Sequence, residues 1–441
     1  MNIVEITFDD ELDIMGKFSK IQNHSEWDGT EVDGELSIRQ GTSYLKILGK
    51  IEKNDSTEKQ ISKQIGSNNE VSNSNDGFIY GFLENGSYVK LDTFFLSRSA
   101  DSYPGFRTSQ YKILKLTFFK FTPIKVTDVF EFYKIDINNL VHWGFFPNFF
   151  DDKDYSKIIP STDLGKFEYS NFSFNLKLQP GILFKRDENN RHHFEIFHQL
   201  KFEVNPSIKL NITSISKISD ELNKLISILM YLPSYVSSIQ CFDNTKRLLS
   251  TTISTHENIK IPRKYLPQAE STSYFKLENE FPNILNSFLS RNEKLSAAIS
   301  SVYANISIRN TTESRLVNDC STIDILEKSG TVPSNHKSQY FLAKIKRFTK
   351  SLPQEIQIAF FKSDNERLSF CKKVKDTRNF LVHGKSSKEP TILKDVDLIS
   401  ASITLDWLLL AYVYNELHIP LQNIIDFLSK QRLSVSKDEI I

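Results

Sequence analysis

The chain is 441 residues long and carries 55 Lys plus Arg against 54 Asp plus Glu, a formal net charge of +1. That balance excludes a uniformly basic nucleic-acid coat and an acidic solvating tail, since both need a large excess of one sign, but it leaves a local basic site open. With 39% hydrophobic residues, including 34 Phe and 16 Tyr, the chain can bury sizeable cores, and at roughly 150 residues per domain it has room for two or three of them.

In chain order, the acidic start MNIVEITFDDELD lacks the basic flank and apolar centre of a secretory signal. GELSIRQG and SYLKILGKI alternate apolar and polar positions as half-buried strands do, and Asn85-Gly86 between two such runs in 78–96 is a hairpin-turn signal. Further strands are expected at 111–121, 128–135, 166–178 and 193–204. The polar segment 52–77 reads as an insertion between early strands. Phe145, Phe146, Phe149 and Phe150 in HWGFFPNFF read as core or domain-interface packing rather than a base-stacking platform.

Helical spacing begins at 214–233, where Ile215, Ile218, Leu222, Leu225, Ile226 and Leu229 recur before Pro233. A short stretch with strand character runs to about Lys276, and helices are then expected at 282–304, 311–329, 337–352, 365–384 and 393–418. These five, broken by Gly330, Pro333, Pro353, Gly384, Pro390 and Pro420, make an antiparallel bundle. The fold class is therefore α+β, an antiparallel sandwich or barrel followed by an all-α bundle. The expected division is 1–280, with a further split near 140–160, and 281–441.

Cys241, Cys320 and Cys371 are odd in number and far apart, which encodes neither a disulfide framework nor a zinc knuckle. No metal or cofactor is expected, and a reducing cytoplasm is the expected location. The apolar run 405–417 contains Asp406, Asn415 and Glu416 and is too short to span a bilayer, so no membrane partner is expected.

Signatures of phosphate-binding loops, zinc proteases and serine hydrolases are absent. What remains is VKDTRNFLVHG, which sets Arg378 beside Asn379 and places His383 before the helix-ending Gly384. This trio suits RNA cleavage by the 2′-hydroxyl. An Arg neutralises charge building on the phosphate. A His moves protons to or from the 2′- and 5′-oxygens near neutrality. Asn379 and His383 are one turn apart, so the amide can orient the ring or contact the phosphate.

On a helical wheel Cys371, Val374, Leu381 and Val382 form an apolar stripe containing Arg378, while Lys372, Asp376, Asn379 and His383 share a polar flank. An Arg in such a stripe needs a carboxylate or a phosphate. Arg378 and His383 point about 140° apart and are roughly 7.5 Å apart along the axis. A site shared across a two-fold dimer removes that difficulty. Arg186 with His192 or His193, and Arg191 with His198, have similar spacings but lie on a strand-connecting turn that supplies no common face.

The segment VKDTRNFLVHG, late in a helical bundle and followed by a long apolar helix, resembles the RNxxxH signature of HEPN domains in the variant found in the ApeA family of bacterial antiphage proteins. DGELSIRQGTSYLKILGKI and FIYGFLENGSYVKLDTFF resemble the β-rich N-terminal domain of that family. The resemblance implies a metal-independent endoribonuclease, active as a homodimer with a composite site, that halts a phage-infected cell by cutting RNA, with tRNA anticodon loops the implied substrate and a phage-derived trigger. By the same resemblance Arg378, Asn379 and His383 are the catalytic residues, and the β-rich part is sensing or regulatory. The alternative is a non-catalytic HEPN-like dimerisation or nucleotide-binding module in which Arg378 is only ion-paired.

From Arg309 onward there are 20 Lys plus Arg against 16 Asp plus Glu. The bases bunch at 344–347 and at Lys372, Lys373 and Lys375, with Lys385 just beyond the motif, and these four are the candidate phosphate contacts. Glu327 is the expected carboxylate for Arg378, with Asp324 and Asp376 as alternatives.

Overall fold

The computed structural model describes the chain apart from residues 1–10, 21–28, 30, 40–41, 50, 52–77, 103–105, 121–128, 145–160, 187–193, 255–270, 308–309, 328–336, 385–390 and 439–441. The polar segment 52–77, the Phe cluster at 145–150 and Lys385 thus lie outside the described residues, as does most of the 185–193 turn. Two compact units divide the chain: 1–138 with 201–219 and 235–260, and 139–200 with 220–234 and 261–441.

In the first unit β1 (Leu12–Ser19), β2 (Val32–Arg39), β3 (Thr42–Leu48), β4 (Ile79–Leu83), β5 (Tyr88–Ser102) and β6 (Phe106–Phe119) pair in the order β3-β2-β1-β4-β5-β6. β6 then pairs back onto β3, with Leu45 opposite Tyr111, and closes a six-stranded barrel. Closure leaves fewer open edges than a flat sheet would. Alternation fills it: Leu36 and Ile38 of β2 and Leu45 and Ile47 of β3 are fully buried, while Glu35, Ser37, Tyr44 and Lys46 face away. Burying such an apolar side chain is worth roughly 1.5–3 kcal/mol. Gly81 is glycine because the Phe18 ring lies against it; a Cβ there would stand 2.5 Å from that ring.

The Asn85-Gly86 turn forms as the sequence predicts. Leu83 N donates to Ser87 O at 2.9 Å, Asn85 Oδ1 accepts from Ser87 N at 3.1 Å, and Gly86 sits at φ 82°. β1 is not among the expected strands, because its first residues continue an acidic run; Ile14 and Phe18 nevertheless point into the core.

The remaining strands are β7 (Val129–Phe130), β8 (Phe132–Ile137), β9 (Thr162–Tyr169), β10 (Phe172–Arg186), β11 (Phe194–Pro206), β12 (Leu210–Asn211), β13 (Val236–Phe242) and β14 (Leu248–Ser254). β14 adds to β6 beside the barrel, and the sheet continues through β13 and β8 to Lys201–Val204 of β11. The single strand expected at 166–178 is instead the β9-β10 hairpin, which turns at Ser170 with φ 58° and sets Phe172 opposite Tyr169.

The helices are α1 (Leu140–Gly144), α2 (Ile212–Met230), α3 (Tyr274–Leu277), α4 (Phe281–Leu289), α5 (Glu293–Ser307), α6 (Thr312–Leu326), α7 (Lys337–Ser351), α8 (Gln354–Phe360), α9 (Asp364–His383), α10 (Asp395–Glu416) and α11 (Leu421–Asp438). The helix expected at 282–304 is two, interrupted near Asn292, whose side-chain oxygen caps Leu295 N at 3.0 Å. Pro353 opens the short α8, and Pro420 precedes a further helix rather than ending the helical region.

In the second unit α5, α6 and α10 pack mutually. α10, expected at 393–418, runs Asp395–Glu416 and at 22 residues is long and apolar enough to cross a membrane, unlike the shorter run 405–417 taken alone. Its apolar side chains, among them Leu405, Leu408, Leu409 and Val413, are buried. The three helices also enclose a polar centre. Asn305 Nδ2 donates to Asp319 Oδ1 at 2.8 Å and to Asp406 Oδ1 at 3.1 Å, and Ser301 Oγ donates to Asp319 Oδ1 at 3.2 Å. Tyr231, just after α2, donates to Asp406 Oδ2, and Arg315 Nη2 lies 3.8 Å from that oxygen. Asp319 Oδ2 and Asn305 Oδ1 have no hydrogen-bond partner among the described residues. Burial, and then the charge of Asp406, push the Asp319 carboxyl well above its ordinary range; burial also raises Asp406, against the hydrogen bonds from Tyr231 and Asn305.

Candidate functional site

The RNxxxH segment occupies the last turns of α9, whose ends are both set locally. Ser363 caps the first turn by accepting from Glu366 N at 3.2 Å, and Glu366 reaches back to Lys362 N at 2.6 Å. Gly384 ends the helix with φ 64°, donating its N–H to Phe380 O at 2.8 Å.

α9 is held to α7 by Arg367, which donates to Lys346 O and to Thr349 Oγ1 at 3.1 and 2.9 Å while pairing with Asp364. Cys371 lies 3.6 Å from Thr349 Oγ1. Further on, Thr377 Oγ1 accepts from Leu393 N at 2.9 Å, which fixes the approach to α10.

The buried stripe ends sooner than the wheel indicates. Cys371, Val374, Lys375, Asp376 and Thr377 are buried, but Leu381 is only half-buried and Val382 is 45% exposed, as is Phe380 at 36%. Arg378 therefore stands at the edge of the stripe rather than in its middle, with 22% of its side chain accessible.

Its guanidinium is held on three sides. Nη2 meets Asp324 Oδ2 at 3.5 Å, Nη1 donates to Asn379 Oδ1 at 3.3 Å, and the Phe341 ring lies 5.3 Å from the guanidinium carbon. Arg378 Nε is buried without a hydrogen-bond partner. The hold by Asp324 is shared: buried Lys344 donates to Asp324 O at 3.0 Å and pairs with Oδ1 at 3.1 Å.

Glu327, the expected partner of Arg378, belongs instead to Arg347 at 3.1 Å. The signal that could have found the right pairing is matched spacing: Asp324 on α6 and Glu327 at its C-cap are three apart, as are Lys344 and Arg347 on α7, giving two parallel rungs. Phe341 had no such signal.

Asp376, the other alternative, pairs with Lys375 at 2.5 Å. That corrects the view of Lys375 as a free phosphate contact, since it is 8% exposed and already neutralised. Lys372 and Lys373 are exposed. Asn379 spends its oxygen on Arg378 and keeps its amide hydrogens for another acceptor. His383 is exposed in the final turn. Buried Cys320 is no nucleophile: burial and the neighbouring Asp319 push its thiol well up, against the pull of Arg378.

Residues 325–423, which contain this arginine, amide and exposed histidine, match the family described as Apea-like HEPN. HEPN modules are typically ribonucleases in defence systems. Residues 14–301 match ApeA N-terminal domain 1, well over half of the chain, and the chain belongs to the ApeA family. No curated protein and no solved structure matches it.

Proposed function

We propose that the protein is a metal-independent endoribonuclease of antiphage defence, cutting RNA at a site built from Arg378, Asn379 and His383. The observation that carries this reading is the state of Arg378. Its guanidinium is positioned by three neighbours, is incompletely satisfied, and still reaches solvent. A phosphate could take up its remaining donors.

In this mechanism the substrate 2′-oxygen attacks the adjacent phosphorus, and Arg378 neutralises the charge that builds on the non-bridging oxygens. A histidine removes the 2′-proton or delivers one to the departing 5′-oxygen, which leaves a cyclic phosphate and a 5′-hydroxyl. Arg378 and His383 are roughly 7.5 Å apart along one helix, so the working pair is drawn from two copies of the chain. Exposed Phe380 and Val382, between the two catalytic positions, provide an apolar surface for that homodimer.

tRNA anticodon loops are the proposed substrate. A phage-derived trigger and restraint by the β-rich region 1–280 complete the reading, in a cytoplasmic setting without membrane, metal or cofactor.

The test is cleavage of RNA by purified protein in EDTA. Arg378→Ala and His383→Ala should each lower the rate by about a hundredfold or more, the usual loss for a transition-state charge donor. Equal activity in all three proteins, or activity that EDTA abolishes, refutes the proposal. The Arg378–Asp324 pair favours a second reading, a non-catalytic dimerisation or nucleotide-binding module; retention of dimers with no cleavage of any RNA by the wild type would establish it.

A further inference from the structure

One face of the barrel gathers aromatic and basic side chains from three strands. Strand pairing sets Tyr44 opposite Lys112 and Lys112 opposite Phe95, so these three form one row across β3, β6 and β5. The next row is Lys46, Gln110 and Arg98.

Arg98 reaches this face only because β5 is irregular. The register shifts between Leu96 and Arg98, leaving Ser97 extra, with its hydroxyl donating to Gln110 O at 2.9 Å. Without that bulge, alternation would turn Arg98 to the opposite face from Phe95. The bulge thus brings a cation next to an aromatic ring that is 45% exposed.

Charge separates this face from its neighbours. On the side of β1 and β2, Arg39 pairs with Asp13 and Lys17 with Glu31. Lys46, Lys112 and Arg98 form no ion pair among the described residues, and Glu35, across from Lys46 on β2, marks the acidic boundary. Phe94 and Tyr111, by contrast, pack against the core.

We propose that this face of β3, β6 and β5 binds single-stranded RNA. Bases stack on Phe95 and Tyr44, which two inter-strand spacings set about 10 Å apart, while Lys112 between them and Lys46 and Arg98 in the next row take the phosphates. An acidic protein would satisfy the cations but not use the rings. A duplex would hide its bases from them. The proposal goes beyond the nuclease site and does not depend on it, since binding here requires nothing of Arg378 or His383.

The test uses the full-length His383→Ala chain, to keep the probe intact, and a fluorescein-labelled 20-nucleotide oligouridylate followed by anisotropy over a salt series. Phe95→Ala should weaken binding about tenfold, within the range for loss of one stacked base. Lys46→Ser/Arg98→Ser/Lys112→Ser should lower the slope of log affinity against log salt by about 2, from three lost phosphate contacts at roughly 0.7 each. All four side chains lie on the solvent side of the strands, so these changes spare the barrel core. An unchanged affinity and slope in the triple variant overturns the proposal, as does loss of binding only on Lys372→Ser/Lys373→Ser. Displacement by polyglutamate as efficient as by unlabelled oligouridylate, with no effect of Phe95→Ala, also overturns it and identifies an acidic protein surface as the partner chemistry.

Discussion

Asp319→Asn is expected to stabilise the protein progressively as pH rises. The native Asp319 carboxyl sits in a dry site beside a second carboxylate, so its folded pKa is raised by burial and by Asp406. Protonated, Asp319 loses the charge that its dry site and Asp406 oppose. The unfolded chain releases the same proton near pH 3.9. Stability from this group is therefore fully present below about pH 4 and falls by about 1.4 kcal/mol per pH unit until the folded pKa is passed. An amide at 319 keeps the acceptor for Asn305 and Ser301 and supplies a permanent donor, without a proton to lose. The variant should match the wild type within about 1 kcal/mol near pH 4 and gain on it by about 1.4 kcal/mol for each unit above that until the folded pKa of Asp319 is passed. Urea unfolding followed by fluorescence of buried Trp143 and Trp407 at pH 4, 5 and 6 measures the difference. A difference that does not change with pH would mean that Asp319 is ionised in the native protein and would refute the reasoning.

Asp324→Asn should leave Lys344 without its carboxylate and loosen Arg378; if the proposed reaction operates, kcat in the EDTA cleavage assay should fall about tenfold with little change in KM, and an unchanged kcat would count against a positioning role for Asp324. Arg378→Lys retains charge but not the planar fork that meets Asp324 and Asn379 together, so at most a small fraction of cleavage should survive, measured in the same assay. Gly81→Ala forces a methyl into the Phe18 ring and should cost about 1–3 kcal/mol of barrel stability by chemical denaturation. Gly384→Ala meets no atom within 4 Å but must hold φ 64°, so it should cost about 1 kcal/mol, read as a lowered melting temperature.

The sequence exposed what depends on local periodicity. Alternation located β2 and β3, Asn85-Gly86 located a hairpin, and the helix expected at 365–384 with Gly384 at its end is α9, Asp364–His383. It hid what depends on neighbours distant in the chain. Leu381 and Val382 belong to an apolar stripe by wheel geometry, yet neither is buried, because burial is set by what packs opposite rather than by the wheel. Lys375 reads as a basic surface residue until its pairing with Asp376 is known. In the same way Arg378 demands a carboxylate, while the choice between Asp324 and Glu327 is made on α7, by which base each acid meets.

Asp324 serves two cations, and that bears on the proposed reaction. When a carboxylate with one partner gives that partner up, it is left as an uncompensated charge, and in a partly buried place the release is slow and costly. Here Lys344 also pairs with Asp324, at 3.1 Å. In the proposed reaction Arg378 would turn from the carboxylate to an incoming phosphate while Lys344 keeps the acid paired, which suits the arginine to repeated exchange rather than to a single irreversible commitment.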